Sequence, residues 1–271
     1  MPQTRSQKAA AAAGDFVAQA KASDECIVLK GWDHWLVTDA DTVTTLQLRP
    51  SEYLTQGSKS IAPYWFVERL RNRAAISDFL RARTSIPVPV SRIETQDGGR
   101  MCLKTERVNN GITLLDFLLA KGNGPKRELA VRTVEKQLQE DIVPQLQALR
   151  SNTTGSVDPE IPFFPPFVVF GKDRRQWNRI VSETPEFVLC HTALDEQNIY
   201  IDPTTFKITA IDGWDCAGYF PLYFELPLLT LEAGADPFRE AREQALAFFG
   251  LTQNDMRDDS RINPEAAQKL L

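Results

Sequence analysis

The chain changes its rhythm at Asn109-Asn110-Gly111, and that change limits the folds open to it. Before it, short β-type runs dominate: Cys26 to Leu29, Trp35 to Thr38, Val43 to Leu48 and Arg100 to Thr105. Polar breaks at Gly31-Trp32-Asp33 and Asp39-Ala40-Asp41 separate them, as turns do in a meander. One helix interrupts, Phe66 to Arg83, with Phe66, Leu70, Ala74 and Phe79 near helical spacing. Ile86-Pro87-Val88-Pro89-Val90 then reads as extended chain, because proline removes a donor and restrains its neighbour. After the change, helix prevails: Ile112 to Ala120, then Glu128 to Arg150 with Val131, Val134, Leu138, Ile142, Leu146 and Leu149 on one stripe. Pro144 predicts a kink in the second. Ser151 to Pro166 reads as a long loop and Phe187 to Cys190 as a short apolar run. Ile199 to Ile201 and Phe206 to Ile211 form a hairpin around Asp202-Pro203-Thr204. A last helix starts at Asp236-Pro237 and stops before Gly250. An alanine-rich helix, Gln7 to Ala22, precedes all of this, and a polar tail runs from Thr252. The order predicts an α+β fold in two lobes. Residues 1–105 make an N-terminal helix and a β-rich small lobe, and 106–271 a mainly helical large lobe. A cleft between two lobes is where a ligand is expected.

Composition excludes several classes of function. With 31 basic and 36 acidic residues the net charge is −5, so there is no basic surplus to neutralise a phosphate backbone, and no nucleic-acid partner is expected. No run of about 18 apolar residues exists to cross a membrane. The longest, Ile161 to Phe170, carries three prolines. Cys26, Cys102, Cys190 and Cys216 are scattered, and His34 and His191 are the only histidines, so neither a dithiol motif nor a metal site is expected. A reducing, cytoplasmic setting is the simplest reading.

The stretch most informative about chemistry is Cys190-His191-Thr192-Ala193-Leu194-Asp195-Glu196-Gln197-Asn198-Ile199-Tyr200-Ile201-Asp202, followed by Ile208-Thr209-Ala210-Ile211-Asp212-Gly213-Trp214-Asp215-Cys216-Ala217-Gly218-Tyr219. It resembles the aminoglycoside phosphotransferase and choline kinase family, relatives of protein kinases, which carry H-x-D-x-x-x-x-N on a loop, a hairpin, and then I-D-W-x-x-A/S-G. Gly31-Trp32-Asp33, Thr84 to Pro89 and Glu106 to Leu114 resemble the family's pattern as well, so the likeness covers roughly residues 25–230. It implies a kinase-like fold, a small-molecule substrate, and ATP with magnesium as cofactors.

The residues depart from what that likeness implies. Phosphoryl transfer needs positioned cations and a positioned nucleophile. Where the family has the loop aspartate stands Ala193, and where it has the magnesium-binding aspartate stands Gly213. Asp212 is one residue early, and on a strand one step reverses the face, so it serves only if the backbone bulges at Gly213. The small-lobe cation position falls on Gln47, with Arg49 two residues on and on the same face. The partner glutamate falls near Arg73, which reverses its charge. Asp195 puts an acid where phosphates would be repelled.

Asp195, His191 and Asp212 are therefore the candidate acid/base groups, and Asn198, Trp214, Asp215, Arg49, Arg73 and His34 the candidate substrate contacts, with no cofactor and no metal expected. Three readings stay open at this point. One is an enzyme doing non-phosphoryl chemistry on a small organic metabolite, with specialised metabolism as the setting the likeness implies. The second is an ATP-dependent phosphotransferase with a rearranged site. The third is a non-catalytic pseudokinase that binds a ligand or partner. The oligomeric state is undetermined.

Overall fold

The computed structural model describes residues 15–96, 98–121, 124–166, 177–225 and 237–251. The start of the Gln7 helix, Asp236 and the tail from Thr252 lie outside them. The chain forms two compact units. The described residues of the first fall within Met1–Ala74 and Val90–Arg107, and those of the second within Ala75–Pro89 and Val108–Asp259.

The first unit opens with α1 (Phe16–Lys21), whose first turn is capped by the Asp15 carboxylate accepting from Ala18 N–H at 3.1 Å. Strands β1 (Ile27–Lys30), β2 (His34–Thr38) and β3 (Thr42–Gln47) form the expected meander. Asp39 makes the second turn: its Oδ1 accepts from Asp41 N–H at 2.9 Å and Thr42 N–H at 2.7 Å. A hairpin that the sequence reading missed follows, β4 (Leu54–Gln56) and β5 (Lys59–Ile61), with Gly57 at φ 60° between them. Helix α2 (Phe66–Arg83) has the ends read from the sequence. Strand β6 (Ser91–Gln96) was also missed, because Arg92 and Glu94 hide its alternation, and β7 (Arg100–Glu106) pairs with it. The five strands make one antiparallel sheet in the order β1-β2-β3-β7-β6. On one face Leu46 and Cys102 bury against Val17 of α1, with Val28 and Trp35 beside them. On the other, Leu103 packs on Phe66 and Leu70 of α2. Successive residues of a strand face opposite ways, so Cys102 and Leu103 serve different layers.

The second unit builds its core on Ile76 and Leu80, from the later half of α2, and on Ile86. Strand β8 (Ile112–Thr113), α3 (Leu114–Lys121) and α4 (Pro125–Gln137) come next. The long helix expected to Arg150 is broken. A π-helical turn at Leu138–Ile142 leads into α5 (Val143–Ala148), with Pro144, which cannot donate, in its first turn. Arg150–Ser151 is then not helix but a short strand, β9, paired with β10 (Phe187–Cys190). The hairpin of β11 (Ile199–Ile201) and β12 (Ile208–Ile211) forms as expected, but β12 starts late because Phe206 sits at φ 59°. Strand β13 (Gly218–Phe220) returns along β10, and α6 (Pro237–Phe248) ends the described chain before Gly250 at φ 68°. The core joins Leu114, Phe117 and Leu118 of α3, Ala130 and Val134 of α4, and Ile199, Ile201 and Ile211 of the hairpin. Burial of each of the larger side chains among these contributes about 1.5–3 kcal/mol. The fold is thus the α+β class expected, with an antiparallel sheet in its N-terminal region. No described helix is long and apolar enough to cross a membrane.

Candidate functional site

Strand β10 is buried at all four residues and delivers the chain into the loop 191–198 from a fixed end. The loop's shape is set by what its backbone donates to. His191 N–H donates to Glu225 Oε2 at 2.5 Å, and Thr192 N–H donates to the same carboxyl group. Thr192 sits at φ 67°, a costly conformation for a β-branched residue, and its hydroxyl donates to the Cys216 carbonyl at 3.2 Å. Burial pushes the Glu225 carboxyl up to about 7, against the lowering effect of those two N–H groups. Among the described residues its Oε1 is buried without a hydrogen-bond partner. The sequence does carry a signal for Glu225, a lone acid within the aromatic run Tyr219 to Leu226, but the reading passed over it.

His191 is 0% exposed. Its Nε2 faces the Asp212 carbonyl at 2.8 Å, and its Nδ1 accepts from Ala193 N–H at 3.3 Å. A carbonyl can only accept, so Nε2 is the ring nitrogen that donates here. It also lies against Trp214, with 4.3 Å between ring centroids. Trp214, expected to touch substrate, is instead fully buried in the core, with its indole N–H donating to the Ile211 carbonyl at 2.8 Å. A wide apolar ring gains most from leaving water completely, and that fixes its place. Asp215 is half-buried in the short 3₁₀ turn that follows.

Asp195 Oδ1 accepts from Gln197 N–H at 3.0 Å and Asn198 N–H at 3.2 Å, so one carboxylate oxygen braces the loop. Burial raises its pKa, opposed by those two N–H groups. Asn198 donates from Nδ2 to the Ala193 carbonyl at 2.8 Å, and its backbone carbonyl accepts from Asp212 N–H at 2.9 Å. The amide of Asn198 lies on Gly213. A Cβ placed there would meet Oδ1 at 2.3 Å and Cγ at 2.5 Å. Gly213 has φ 81° and ψ 26°, a left-handed residue and not a bulged strand. Since β12 ends at Ile211, strand alternation does not govern Asp212, and the face-reversal argument made from the sequence does not apply. The second unit therefore gathers His191, Asp195, Asn198 and Asp212 around one loop and lays Gly213 against it.

Arg49 pairs with Asp15 at 2.7 Å while its own N–H donates to Glu52 Oε2 at 2.7 Å, which ties β3 to the start of α1. His34 Nδ1 is 2.6 Å from Asp33 Oδ1, and its ring stacks on Phe66. Buried Asp33 also accepts from Arg69 Nη2 at 2.5 Å. The hydrogen bond from His34 and the charge of Arg69 hold the Asp33 carboxyl below its usual range despite burial. Arg73 is half-buried on α2. Gln47 uses its side-chain oxygen to accept from Met101 N–H at 3.2 Å, a sheet-bracing role.

No family model and no curated protein matches this sequence. Among solved structures, it is similar to a fructosamine-3-kinase-type protein of Haemophilus somnus 129PT, at 11% identity and TM-score 0.46 over 95% of this chain and 94% of that one. It is similar to an aminoglycoside-3'-phosphotransferase of type VIII, at 14% identity and TM-score 0.45 over 95% and 97%. A third is an aminoglycoside phosphotransferase-type protein of Ralstonia eutropha JMP134, at 11% identity and TM-score 0.42 over 81% and 74%. The similarity to these kinase-like proteins is one of general arrangement, and no residue role is carried over from them.

Proposed function

We propose that this chain binds a small organic molecule at the loop 191–198 and acts on it by proton transfer, without moving a phosphoryl group. The observation that carries this reading is the seating of the Asn198 amide on Gly213, where a Cβ would meet it at 2.3 Å. A carboxylate side chain at 213 has no room there, and Ala193 offers none on the loop. Asp195 supplies the proton carrier. Its Oδ1 is fixed by two N–H groups, and burial raises its pKa above the ordinary aspartate value. His191 positions the loop, since both of its nitrogens are engaged with backbone.

The test is a thermal-shift titration with ATP and magnesium ions. Whatever binds the folded state raises the midpoint, by about 2.7 kcal/mol of stability at a hundred times Kd. No rise is expected at millimolar nucleotide. A rise that is lost in Asn198→Ala and Asp212→Asn overturns the reading in favour of a phosphotransferase that uses those two residues.

A further inference from the structure

One carboxyl group ties the loop 191–198 at its entrance. Glu225 follows the 3₁₀ turn Leu222–Phe224, and its fully buried carboxyl accepts from His191 N–H at Oε2 and from Thr192 N–H. Those are the two residues that lead the chain out of β10, and Thr192 stands at φ 67°. Oε1 has no partner among the described residues, and no described lysine, arginine or histidine side chain pairs with the carboxyl. The titratable groups beside it are the Cys190 thiol of β10 and the Tyr223 hydroxyl of the turn. Burial raises both, with the Glu225 charge adding to it at Cys190. From α6 come Ala245, Leu246, Phe248 and Phe249, which pack with Cys190 and Phe224 and carry no charge, while Glu243 is exposed.

We propose that Glu225 is a proton-operated latch on the loop 191–198. Protonated, it stays seated and the loop is closed; ionised, it is drawn toward water and the loop loosens. A carboxylate enclosed without a cation loses its hydration, and two N–H groups replace only part of it. The neutral acid bears no such cost, so the seated carboxyl holds a proton more tightly than one in water. Burial puts its folded value at about 7, against 4.5 ordinarily, so the seated form loses ground as pH rises between those values and levels off above them. The strain at Thr192 favours the movement, because release of the two N–H groups lets its backbone relax. The same loop carries Asp195, so the latch makes the placement of that carboxyl depend on pH. This consequence rests on Asp195 being the proton carrier; the latch itself does not.

Amide hydrogen exchange of the full chain, with the intrinsic rate divided out, reads the latch without any substrate. Protection at His191 and Thr192 is expected to fall by about tenfold to a hundredfold from about pH 5 to 8, as a carboxyl raised from 4.5 to about 7 permits. Glu225→Gln resembles the protonated acid and is expected to stay protected across that range. Carboxyl-carbon NMR of the wild-type chain, which needs no variant, is expected to show one glutamate titrating near 7. Protection that does not change with pH overturns the proposal. So does a loss that persists in Glu225→Gln, which would belong to His191 or Asp195, and so does a chain whose glutamates all titrate in the ordinary range. The nucleotide titration tests the reaction separately, so either reading can fail while the other stands.

Discussion

At Gly213 two penalties fall on any side chain. The residue is left-handed, and Asn198 fills the place of its Cβ and is held there by its bond to the Ala193 carbonyl. Gly213→Ala is expected to cost about 2–3 kcal/mol, from roughly 1 for the backbone and the rest for displacing the amide. Asn198→Ala should recover the second part and not the first, and a double-mutant cycle on denaturant midpoints would read the difference. Glu225 gives a prediction in pH. Its folded pKa, about 7, lies above the ordinary 4.5, so the folded state holds the proton more tightly. Stability is therefore expected to fall as pH rises from about 4.5 to 7 and then to level off. Glu225→Gln keeps an acceptor for the His191 N–H and should flatten that decline, measured as the thermal midpoint from pH 5 to 8. The sequence marked His191, Asp195 and Asn198 as loop residues because their spacing follows a motif. It gave no hint that the Asn198 amide would lie on Gly213, since contact between residues 15 apart depends on the hairpin closing.

On the scale of elements, α2 was readable to the residue because its apolar spacing runs unbroken, while β6 was not, because a charged edge strand looks like loop. The segment Ser151 to Pro166 shows how such a loop is held. The guanidinium of Arg179 donates to the carbonyls of Thr154 at 3.0 Å, Ser156 at 3.3 Å, Asp158 at 3.2 Å and Ile161 at 2.9 Å. One planar fork thus satisfies four backbone acceptors that no sheet or helix serves. Nothing in the local sequence announces it, as its partners lie 18 to 25 residues away. Arg179→Met keeps the stem and removes the donors. It is expected to cost about 2–4 kcal/mol, as orphaned buried carbonyls do, and limited proteolysis should move to residues 154–161. Asp33→Asn removes the charge that faces Arg69 and is expected to cost about 1–3 kcal/mol, read by chemical denaturation.

For the whole molecule, the titrating groups set a pH of greatest stability. Asp15, Asp33 and Asp39 are held below their ordinary pKa, and their contribution is present above about pH 3.8 and lost as pH falls through their folded values. Asp195 and Glu225 are raised and act the other way. The thermal midpoint is expected to peak near pH 4 to 6 and to fall on both sides, and a maximum above pH 7 would contradict this balance. The chain also crosses between its units more than once. It leaves the first at Ala74, returns for Val90–Arg107 and leaves again. A fragment beginning at residue 106 lacks Ile76, Leu80 and Ile86 from the core it needs and is expected not to fold, as circular dichroism would show. The alternation of strand and helix was readable in the sequence, but this return was not, because it depends on which core each apolar residue joins. It has a consequence during synthesis. β3 lies between β2 and β7 in the finished sheet, yet β7 is the last of its strands to leave the ribosome. A nascent chain from which β3 has emerged and β7 has not carries the β3 edge bare, and crowding on a polysome would put those edges within reach of one another.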